Sequence, residues 1–332
     1  MTTHVLVTGA GGAAAVSFLR AVQGPGIRCF AVDIDPLAAG LYLVEETNRS
    51  LIPRGDDPAM VGALLALCER HQIDILVPTV DTELAPIAAQ REAFEARGVR
   101  VMLSGLDALQ VCADKWMLMN VAAAYVPIPE TVLLDADFAV DDCELPVIAK
   151  PRRGAGGRGV RRIAGREDWA GLPRDGSYIV QRYLPGDEYS VDVLCDAKGT
   201  SVLAAVPRAR MKVDSGVAVA GRTLHDVTLE STSRMLAAHL GLRYVINIQW
   251  KRDPDGVPRL LEINPRFPGT MPLTIAAGVD MPNLALQLIQ GQEFSGPLPF
   301  RDVAVVRHWD ERIIDVGAFE RVPTATVQES AA

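Results

Sequence analysis

This chain of 332 residues has few aromatic residues and no excess of positive charge. Aromatic side chains make up 5% of it, and 33 Lys plus Arg stand against 41 Asp plus Glu, a net charge of −8. Proteins that bind nucleic acid along an extended face carry basic stripes, often with aromatic side chains for stacking. The composition argues against that class, and any anion site must be local.

Cysteine pairs and long apolar runs are also missing. The five cysteines are odd in number and widely scattered, with no C-x-x-C spacing: Cys29, Cys68, Cys112, Cys143 and Cys195. This pattern is typical of free thiols in a reducing compartment. No apolar run reaches the ~18 residues that a membrane-spanning helix needs, and the first residues lack the basic region of a signal peptide. We expect a cytoplasmic protein that does not bind membranes.

The first third of the chain alternates strand-like and helical patterns. The predicted order is strand 4–8, helix 13–22, strand 27–32, helix 58–71, strand 73–80, helix 83–97 and strand 99–103. Strands joined by crossover helices predict a parallel sheet covered on both faces, ending near residue 105. A further helix is predicted at 107–124, before a proline-containing segment.

Beyond residue 145 the pattern changes to short strands separated by Gly and Pro turns, which predicts an α+β region. The strands are expected at 147–149, 178–183, 189–195 and 201–206, followed by a helix at 229–240. Two more strands, 244–250 and 259–263, flank a strong turn sequence at 253–256 and should form a hairpin. Apolar helical segments follow residue 270, and a strand at 303–307 precedes a polar, loose tail.

The predicted hairpin carries a cluster of oxygen-bearing side chains. Glu262 and Asn264 are two positions apart and share one face of their strand, whereas Leu261 and Ile263 should face the core. Gln249 can lie beside Glu262 as a cross-strand neighbour. Magnesium prefers oxygen ligands and commonly uses one or two carboxylates with substrate phosphates. The alternative is an ordinary amphipathic hairpin with solvated polar side chains.

A lysine and a glycine-rich loop form the second candidate feature. Lys150 ends a buried strand, and four glycines follow within residues 154–159. Such a loop lets backbone N–H groups approach phosphate oxygens closely, while the lysine supplies a fixed cation. No G-K-[ST] follows the glycines, so the P-loop pattern is excluded. A flexible basic surface loop is the alternative.

A Pro-Gly break between two strand-like runs is the third feature. Pro185 and Gly186 separate the runs, and Glu188 follows directly. This arrangement could form a hinge that presents backbone groups to a purine and a carboxylate to ribose hydroxyls. A β-hairpin with solvated acids explains the same pattern.

Taken in order, these features resemble the ATP-grasp superfamily, and specifically the proteins similar to the large subunit of carbamoyl-phosphate synthase. The resemblance runs over residues 4–310 and is carried by Lys115, Lys150, the glycine loop, Glu188 and the Glu262-x-Asn264-x-Arg266 motif. It implies a Rossmann-like pre-ATP-grasp domain at 1–105, a lid subdomain with a linker helix at 106–185 and a C-terminal subdomain with the metal site at 186–332. The expected fold class is therefore α/β plus α+β.

The resemblance also assigns expected roles. The nucleotide-binding residues would be Lys115, Lys150, Gly154, Gly156 and Gly157 at the phosphates, Gln181 and Leu184 at adenine, and Glu188 at the ribose. The Mg²⁺ or Mn²⁺ ligands would be Gln249, Glu262 and Asn264. The catalytic residues would be Arg266, Lys150 and Arg210, the last in a basic segment with Arg208 near the acceptor site.

The implied activity is that of an ATP-dependent carboxylate–amine ligase. An acyl phosphate would form on a small carboxylate such as an amino acid, and an amine would displace phosphate to give an amide and ADP. The implied partners are small molecules, with a homodimer left open. The chain departs from carbamoyl-phosphate synthase because it holds a single ATP-grasp unit, and it has Arg182 in the hinge where relatives often have an acid.

The N-terminal glycines support a rival hypothesis. Gly9, Gly11 and Ala14 fit the dinucleotide fingerprint G-x-G-x-x-A, and Asp33 follows 24 positions after Gly9. An NAD(P)-dependent oxidoreductase would use this turn, whereas an ATP-grasp protein uses it for packing or for the acceptor substrate. A non-catalytic nucleotide-binding protein is a further alternative.

One more polar segment lies where open α/β sheets bind ligands, at the carboxyl end of a predicted strand. Asp81 or Glu83 could hold a substrate amine there. Helix N-capping by Asp81 or Thr82 is the simpler interpretation.

Overall fold

The strands of the N-terminal third form one parallel sheet in the computed structural model, which describes residues 2–154, 156–214, 217–308, 310–319 and 322–325. The order is β3-β2-β1-β4-β5, and every neighbouring pair is parallel, as predicted. The strands are β1 Thr3–Val7, β2 Ile27–Asp33, β3 Arg49–Leu51, β4 Ile75–Val77 and β5 Arg100–Val101.

Apolar clusters cover both faces of this sheet. Val5 and Val7 pack with Phe18 on one face, whereas Leu6 packs with Leu64 on the other. This double burial explains why the strands read as nearly continuous apolar runs rather than as alternating ones. The crossover helices are α1 Ala13–Ala21, α2 Met60–His71, α3 Asp81–Ala89 and α4 Arg91–Glu95.

Two predicted helices are each split in two. The helix expected at 83–97 is interrupted at Gln90, whose backbone leaves the helical region (φ −112°, ψ 22°). The helix expected at 107–124 is interrupted at Asp114, giving α5 Leu106–Ala113 and α6 Lys115–Ala122. Asp114 is extended, and its side chain accepts hydrogen bonds from the backbone N–H groups of Trp116 and Met117, so it is an N-cap. The predictions of a single helix at 83–97 and at 107–124 were therefore wrong.

The middle of the chain forms a four-stranded antiparallel sheet of order β6-β9-β7-β8. Its strands are β6 Thr131–Leu134, β7 Val147–Pro151, β8 Arg161–Ile163 and β9 Tyr178–Arg182. Val147 and Ala149 enter a small apolar cluster with Val180. Ile148 and Lys150 consequently point to the opposite face of β7.

A six-stranded antiparallel sheet of order β14-β13-β10-β11-β12-β15 makes up most of the remainder. Its strands are β10 Glu188–Cys195, β11 Val202–Asp214, β12 Val217–Thr223, β13 Tyr244–Arg252, β14 Pro258–Asn264 and β15 Ala304–Val306, and the helices are α7 Val227–His239, α8 Met271–Ala276, α9 Met281–Ile289 and α10 Val316–Phe319. Within the residues described, no helix is both long and apolar enough to cross a membrane. The end of the predicted loose tail, 326–332, lies outside the described residues.

The two strands that flank Pro185-Gly186 do not form a hairpin. β9 belongs to the four-stranded sheet and β10 to the six-stranded sheet, so the hairpin alternative was wrong and the break is a connection between sheets. The division at about residues 105 and 185 stays a prediction, although each sheet falls within one of the three proposed segments.

The hairpin of β13 and β14 is confirmed, with one correction. Gln249 pairs with Glu262 as expected, but Trp250 pairs with Leu260, so Leu261 is an extra residue in a β-bulge. Leu260 and Ile263 are buried in the core, whereas Leu261 is only partly buried. The prediction that Leu261 faces the core was therefore wrong, because the bulge turns its side chain aside.

We expect Asp114→Ala to lower the free energy of unfolding by about 2–4 kcal/mol, because it removes an N-cap and a buried acceptor for an arginine. Arg152 Nη2 lies 2.6 Å from Asp114 Oδ2, and the Asp114 side chain is 1% exposed. Urea unfolding followed by circular dichroism measures the loss. Asp107→Ala, at an exposed first-turn position of α5, is the matched control and should change stability by less than about 0.5 kcal/mol. Equal losses in both variants would contradict this role.

Candidate active site

A cavity of about 540 Å³ opens between the four-stranded and the six-stranded sheets. Every residue to which the sequence gives a nucleotide, metal or catalytic role lies in its lining: Lys115, Lys150, Gly154, Gly156, Gly157, Gln181, Leu184, Glu188, Arg210, Gln249, Glu262, Asn264 and Arg266. These residues span about 150 positions of sequence and come from different sheets. The individual roles stay predictions, but the predicted set converges on one place.

Strand alternation explains how the six-stranded sheet supplies its share. Ser190 pairs with Gln249, and Gln249 pairs with Glu262, so these side chains form a row across three strands. Their neighbours Val191 and Ile248 point the other way and are fully buried in an apolar cluster. The buried face fixes the register, and the register in turn fixes the polar row.

The predicted metal ligands lie side by side at one edge of the cavity. Asn264 Nδ2 donates to Glu262 Oε1 at 3.1 Å, so the amide oxygen of Asn264 is directed away from that bond. Among the described residues, no group of three or more His, Cys, Asp and Glu side chains could hold a metal. The candidate ligands are the Glu262 carboxylate and the side-chain amides of Gln249 and Asn264. One carboxylate and two amides fit a magnesium ion that takes its remaining ligands from phosphates and water.

Two buried lysines face the same edge. Lys150 Nζ lies 3.4 Å from the Leu261 carbonyl oxygen, and Lys115 Nζ donates to the Gly154 carbonyl oxygen at 2.9 Å. Burial lowers the pKa of Lys150 to about 8, which the charge of Glu262 partly offsets. Two cations held near one carboxylate in a partly closed cavity make a site for a multiply charged anion.

The glycine loop has the backbone that only glycine adopts readily. Gly154, Gly156 and Gly157 have φ values of 136°, 69° and 69°, and Gly159 has 75°. A Cβ at any of the first three would meet open space, so backbone conformation rather than packing requires glycine there. Ala155, also in this loop, lies outside the described residues. The loop begins at Arg152, whose carbonyl oxygen accepts from the Lys115 backbone N–H at 2.9 Å.

The predicted adenine and ribose residues line the same cavity. Gln181 is buried and donates from Nε2 to the Thr131 hydroxyl at 2.9 Å, and Leu184 is buried beside it in the lining. Glu188 Oε1 lies 3.1 Å from Arg210 Nε. The expected ribose and acceptor residues are therefore partners across neighbouring strands in this structure.

Sequence reasoning missed a buried polar network beside these residues. Asp192 is completely buried and accepts from Arg208 Nη2 at 2.6 Å, from Asn247 Nδ2 at 2.9 Å and from the Thr274 hydroxyl at 2.5 Å. Arg208 also donates to the Thr270 hydroxyl. The sequence does contain a signal for this network, because Asp192 lies within the apolar run 191–195 and a buried acid needs hydrogen-bond partners.

A second cavity of about 470 Å³ lies at the carboxyl ends of the parallel strands. Its acidic lining consists of Asp33 at the end of β2 and of Asp81 and Glu83 in α3. It shares with the first cavity Lys115, Gly154, Arg158, Glu262 and Asn264. The two cavities therefore meet at the candidate metal edge.

The capping interpretation of the segment at 81–83 was wrong. The residue before α3 is Val80, and no side-chain cap bond is made there. Asp81 instead forms a bidentate pair with Arg266, with Nε–Oδ1 and Nη2–Oδ2 both 2.7 Å. Glu83 is buried and accepts from the Thr8 hydroxyl at 2.5 Å. Burial raises the pKa of Glu83 to about 7.

The N-terminal glycine turn is closed by its own chain. Gly11 N–H donates to Asp33 Oδ2 at 2.7 Å, and Gly40 N–H donates to the Ala10 carbonyl oxygen at 2.9 Å. A Cβ at Gly40 would lie 2.3 Å from that same oxygen, so the chain packs tightly over the turn. A backbone donor that a diphosphate would need is thus used internally, which disfavours the oxidoreductase hypothesis and favours a packing role.

Comparison with known families agrees with this geometry. Residues 5–102 match the family described as PylC-like, N-terminal domain, and residues 175–312 match the family described as ATP-grasp in the biosynthetic pathway with Ter operon. Residues 175–312 are therefore similar to an ATP-grasp domain. The first range contains the parallel sheet except for the start of β1, and the second contains all six strands of the six-stranded sheet.

Known proteins are similar to parts of this chain. The large chain of carbamoyl phosphate synthase from Thermomicrobium roseum is 29% identical over 217 residues, which cover 59% of this chain and 20% of the relative. D-alanine–D-alanine ligase from Thermotoga maritima is 32% identical over 111 residues, which cover 32% of this chain and 37% of the relative. The chain thus matches about a fifth to just over a third of the length of these relatives.

Solved structures confirm the expected fold. Biotin carboxylase from Campylobacter jejuni has a TM-score of 0.74 at 18% identity, covering 91% of this chain and 74% of its own. N5-carboxyaminoimidazole synthetase from Staphylococcus aureus has a TM-score of 0.70 at 15% identity, covering 91% and 80%. At such low identity the likeness establishes the fold: a Rossmann-like domain followed by an ATP-grasp fold, with both parallel and antiparallel sheets.

The raised pKa of Glu83 predicts a pH-dependent stability. Its folded-state pKa of about 7 exceeds the ordinary 4.5, so the folded protein holds this proton more tightly than the unfolded chain. The free energy of unfolding should therefore fall as the pH rises from 4.5 to about 7. Between pH 5 and pH 7.5, the native protein should lose about 2 kcal/mol relative to Glu83→Gln. Urea unfolding of both proteins measures the difference, and parallel pH profiles would contradict the prediction.

Proposed function

We propose that the protein is an ATP-dependent carboxylate–amine ligase that forms an amide through an acyl phosphate on a small carboxylate such as an amino acid. The single observation that carries this proposal is the convergence of the entire predicted ATP-grasp set on one cavity between two sheets. The similar proteins support it as well, because their names describe a carbamoyl phosphate synthase and a D-alanine–D-alanine ligase.

ATP would occupy the first cavity along its length. Gln181 and Leu184 would contact the adenine, and Glu188 the ribose, at the end where the two sheets are joined. Lys115, Lys150 and the N–H groups of the glycine loop would hold the phosphates. Phosphoryl transfer depends on positioning and charge neutralisation more than on covalent help from the protein, which suits two fixed lysines and a loop.

Gln249, Glu262 and Asn264 would hold Mg²⁺ at the phosphate end. The ion would neutralise phosphate charge during transfer. The protein's own part is to hold three oxygen donors on adjacent positions of β13 and β14, where the hairpin register fixes them.

The proposed reaction has two steps, formation of the acyl phosphate and its reaction with the amine. A carboxylate oxygen of the acid attacks the γ-phosphorus, and the bond from phosphorus to the ADP oxygen breaks. Arg210 would orient the acid, and Arg266 would stabilise the transferred phosphoryl group. The amine then attacks the acyl carbon, loses a proton and expels phosphate, which leaves the amide.

The second cavity is the proposed entry for the amine. It shares Glu262 and Asn264 with the nucleotide cavity, so a ligand in it would lie beside the activated acid. Asp81 and Glu83, which line it, suit a substrate that carries a positive charge before reaction. Homodimer formation and cytoplasmic location stay predictions, and light scattering of the purified chain would test the former.

Release of ADP from Mg·ATP, screened across carboxylic acids and amines, tests the proposal directly. Turnover should require one acid and one amine, and Glu262→Gln should lower it by about 10²-fold because a metal ligand loses its charge. Glu293→Gln, at an exposed position outside both cavities, is the control and should retain native turnover. If the native chain neither binds ATP nor releases ADP with any pair, the proposal fails.

Removal of the Lys150 ammonium should weaken ATP binding by about 10- to 100-fold, because charge-assisted bonds to phosphate contribute about 1.5–3 kcal/mol. Lys150→Met keeps an unbranched side chain that is one atom shorter and removes the charge. Calorimetric titration with Mg·ATP measures the affinity, and the exposed Lys198→Met is the matched control. Unchanged affinity in Lys150→Met would place the phosphates elsewhere.

A further inference from the structure

The ion pair between Asp81 and Arg266 joins the N-terminal domain to the end of the candidate metal strand. We propose that Asp81 is a positioning residue for the reaction: it fixes the guanidinium of Arg266 in the orientation that phosphoryl transfer needs. This inference rests on the proposed function, since it takes Arg266 as the residue that meets the transferred phosphoryl group.

The pair has the geometry that constrains an arginine most. Both Asp81 oxygens are used, each at 2.7 Å from a different nitrogen of Arg266. Two parallel bonds from a planar guanidinium to a carboxylate fix its plane as well as its position. A single contact would leave the group free to rotate.

Rigid structure holds the carboxylate in place. Asp81 begins α3 immediately after the turn that follows β4. Thr79 in that turn donates from its backbone N–H to Thr8 Oγ1 at 3.1 Å and from its hydroxyl to the Thr8 carbonyl oxygen at 2.8 Å. The Thr8 hydroxyl donates in turn to Glu83. The chain is therefore tied on both sides of Asp81 to Thr8, the residue that directly follows the central strand β1.

Neighbouring backbone groups also hold Arg266, and some of its N–H donors stay available. Its backbone N–H donates to the Asn264 carbonyl oxygen at 2.8 Å, and Nη1 donates to the Phe267 carbonyl oxygen at 3.2 Å. A guanidinium has five N–H donors, and the bonds to Asp81 and Phe267 use three of them. Two donors remain on a side chain that lines the first cavity, enough for a phosphoryl group.

The same carboxylate also lines the second cavity. The pair is therefore part of the wall between the two cavities, with Arg266 on the nucleotide side and Asp81 on the side proposed for the amine. A ligand that enters the second cavity meets the residue that orients the phosphoryl-transfer arginine. Loss of Asp81 should consequently impair turnover rather than nucleotide binding.

Steady-state kinetics on three variants test the inference. Asp81→Asn keeps the shape and removes the charge, and it should lower kcat for ADP release by about 10- to 100-fold while KM for ATP changes by less than about 3-fold. Asp81→Glu keeps the carboxylate and should restore part of kcat. Asp107→Asn, another first-turn aspartate on an exposed surface, is the control and should behave as the native protein.

Coupling with Arg266 separates positioning from a general structural effect. If Asp81 acts through Arg266, the variant Asp81→Asn combined with Arg266→Lys should lose no more than Arg266→Lys alone. Additive losses, or a rise in KM without a fall in kcat, would overturn the inference. So would a variant Asp81→Asn with native kcat and an unchanged melting temperature.

Analogue binding keeps the test independent of the unknown substrates. Calorimetry compares Mg·ADP alone with Mg·ADP plus aluminium fluoride, which mimics the phosphoryl group during transfer. The native chain should prefer Mg·ADP with the fluoride, and Asp81→Asn and Arg266→Lys should each reduce that preference by about 10-fold while the affinity for Mg·ADP alone stays unchanged. If ADP release is never seen but this pattern holds, the ligase proposal fails and the positioning role stands. If the variants keep the native preference, the positioning role fails.

Discussion

The register between β13 and β14 is the constraint on which the candidate site depends. Gln249 opposite Glu262, with Leu261 bulged, places both polar side chains and Asn264 on the cavity side. A slip of one residue would exchange the two faces, sending Glu262 into the apolar cluster that holds Ile248 and Trp250. Burial of an unpaired carboxylate there is costly, so the core and the metal edge are specified by the same apolar alternation.

Charge is distributed so that the cavity is stable without a nucleotide. Arg210 is paired with Glu188, Arg266 with Asp81, and Arg208 with Asp192. Among the described residues, Lys150 forms no ion pair of this kind, and burial lowers its pKa to about 8. The cations of the cavity therefore include paired arginines and two lysines, and a bound phosphate would favour the charged form of Lys150.

The sequence predicted the parallel sheet, the polar hairpin and the functional residues that line the first cavity. These predictions depend on the alternation of apolar and polar residues, on glycine content and on the order of motifs. It did not predict the break at Asp114, since the helical period continues across this position and the cap bonds from Trp116 and Met117 are seen only in the structure. It also missed the partner of Arg266, because Asp81 lies 185 positions away. Short strands such as 131–134 and 161–163 gave too little periodicity to recognise.

The contact between Gly11 and Asp33 has a consequence for how the N-terminal domain responds to metabolites. A turn that needs a bound dinucleotide to satisfy its backbone donors gains stability with ligand concentration through mass action. Here the acid is covalently part of the same domain, at an effective concentration that no metabolite pool can alter. The glycine turn therefore needs no bound dinucleotide to satisfy the backbone N–H of Gly11.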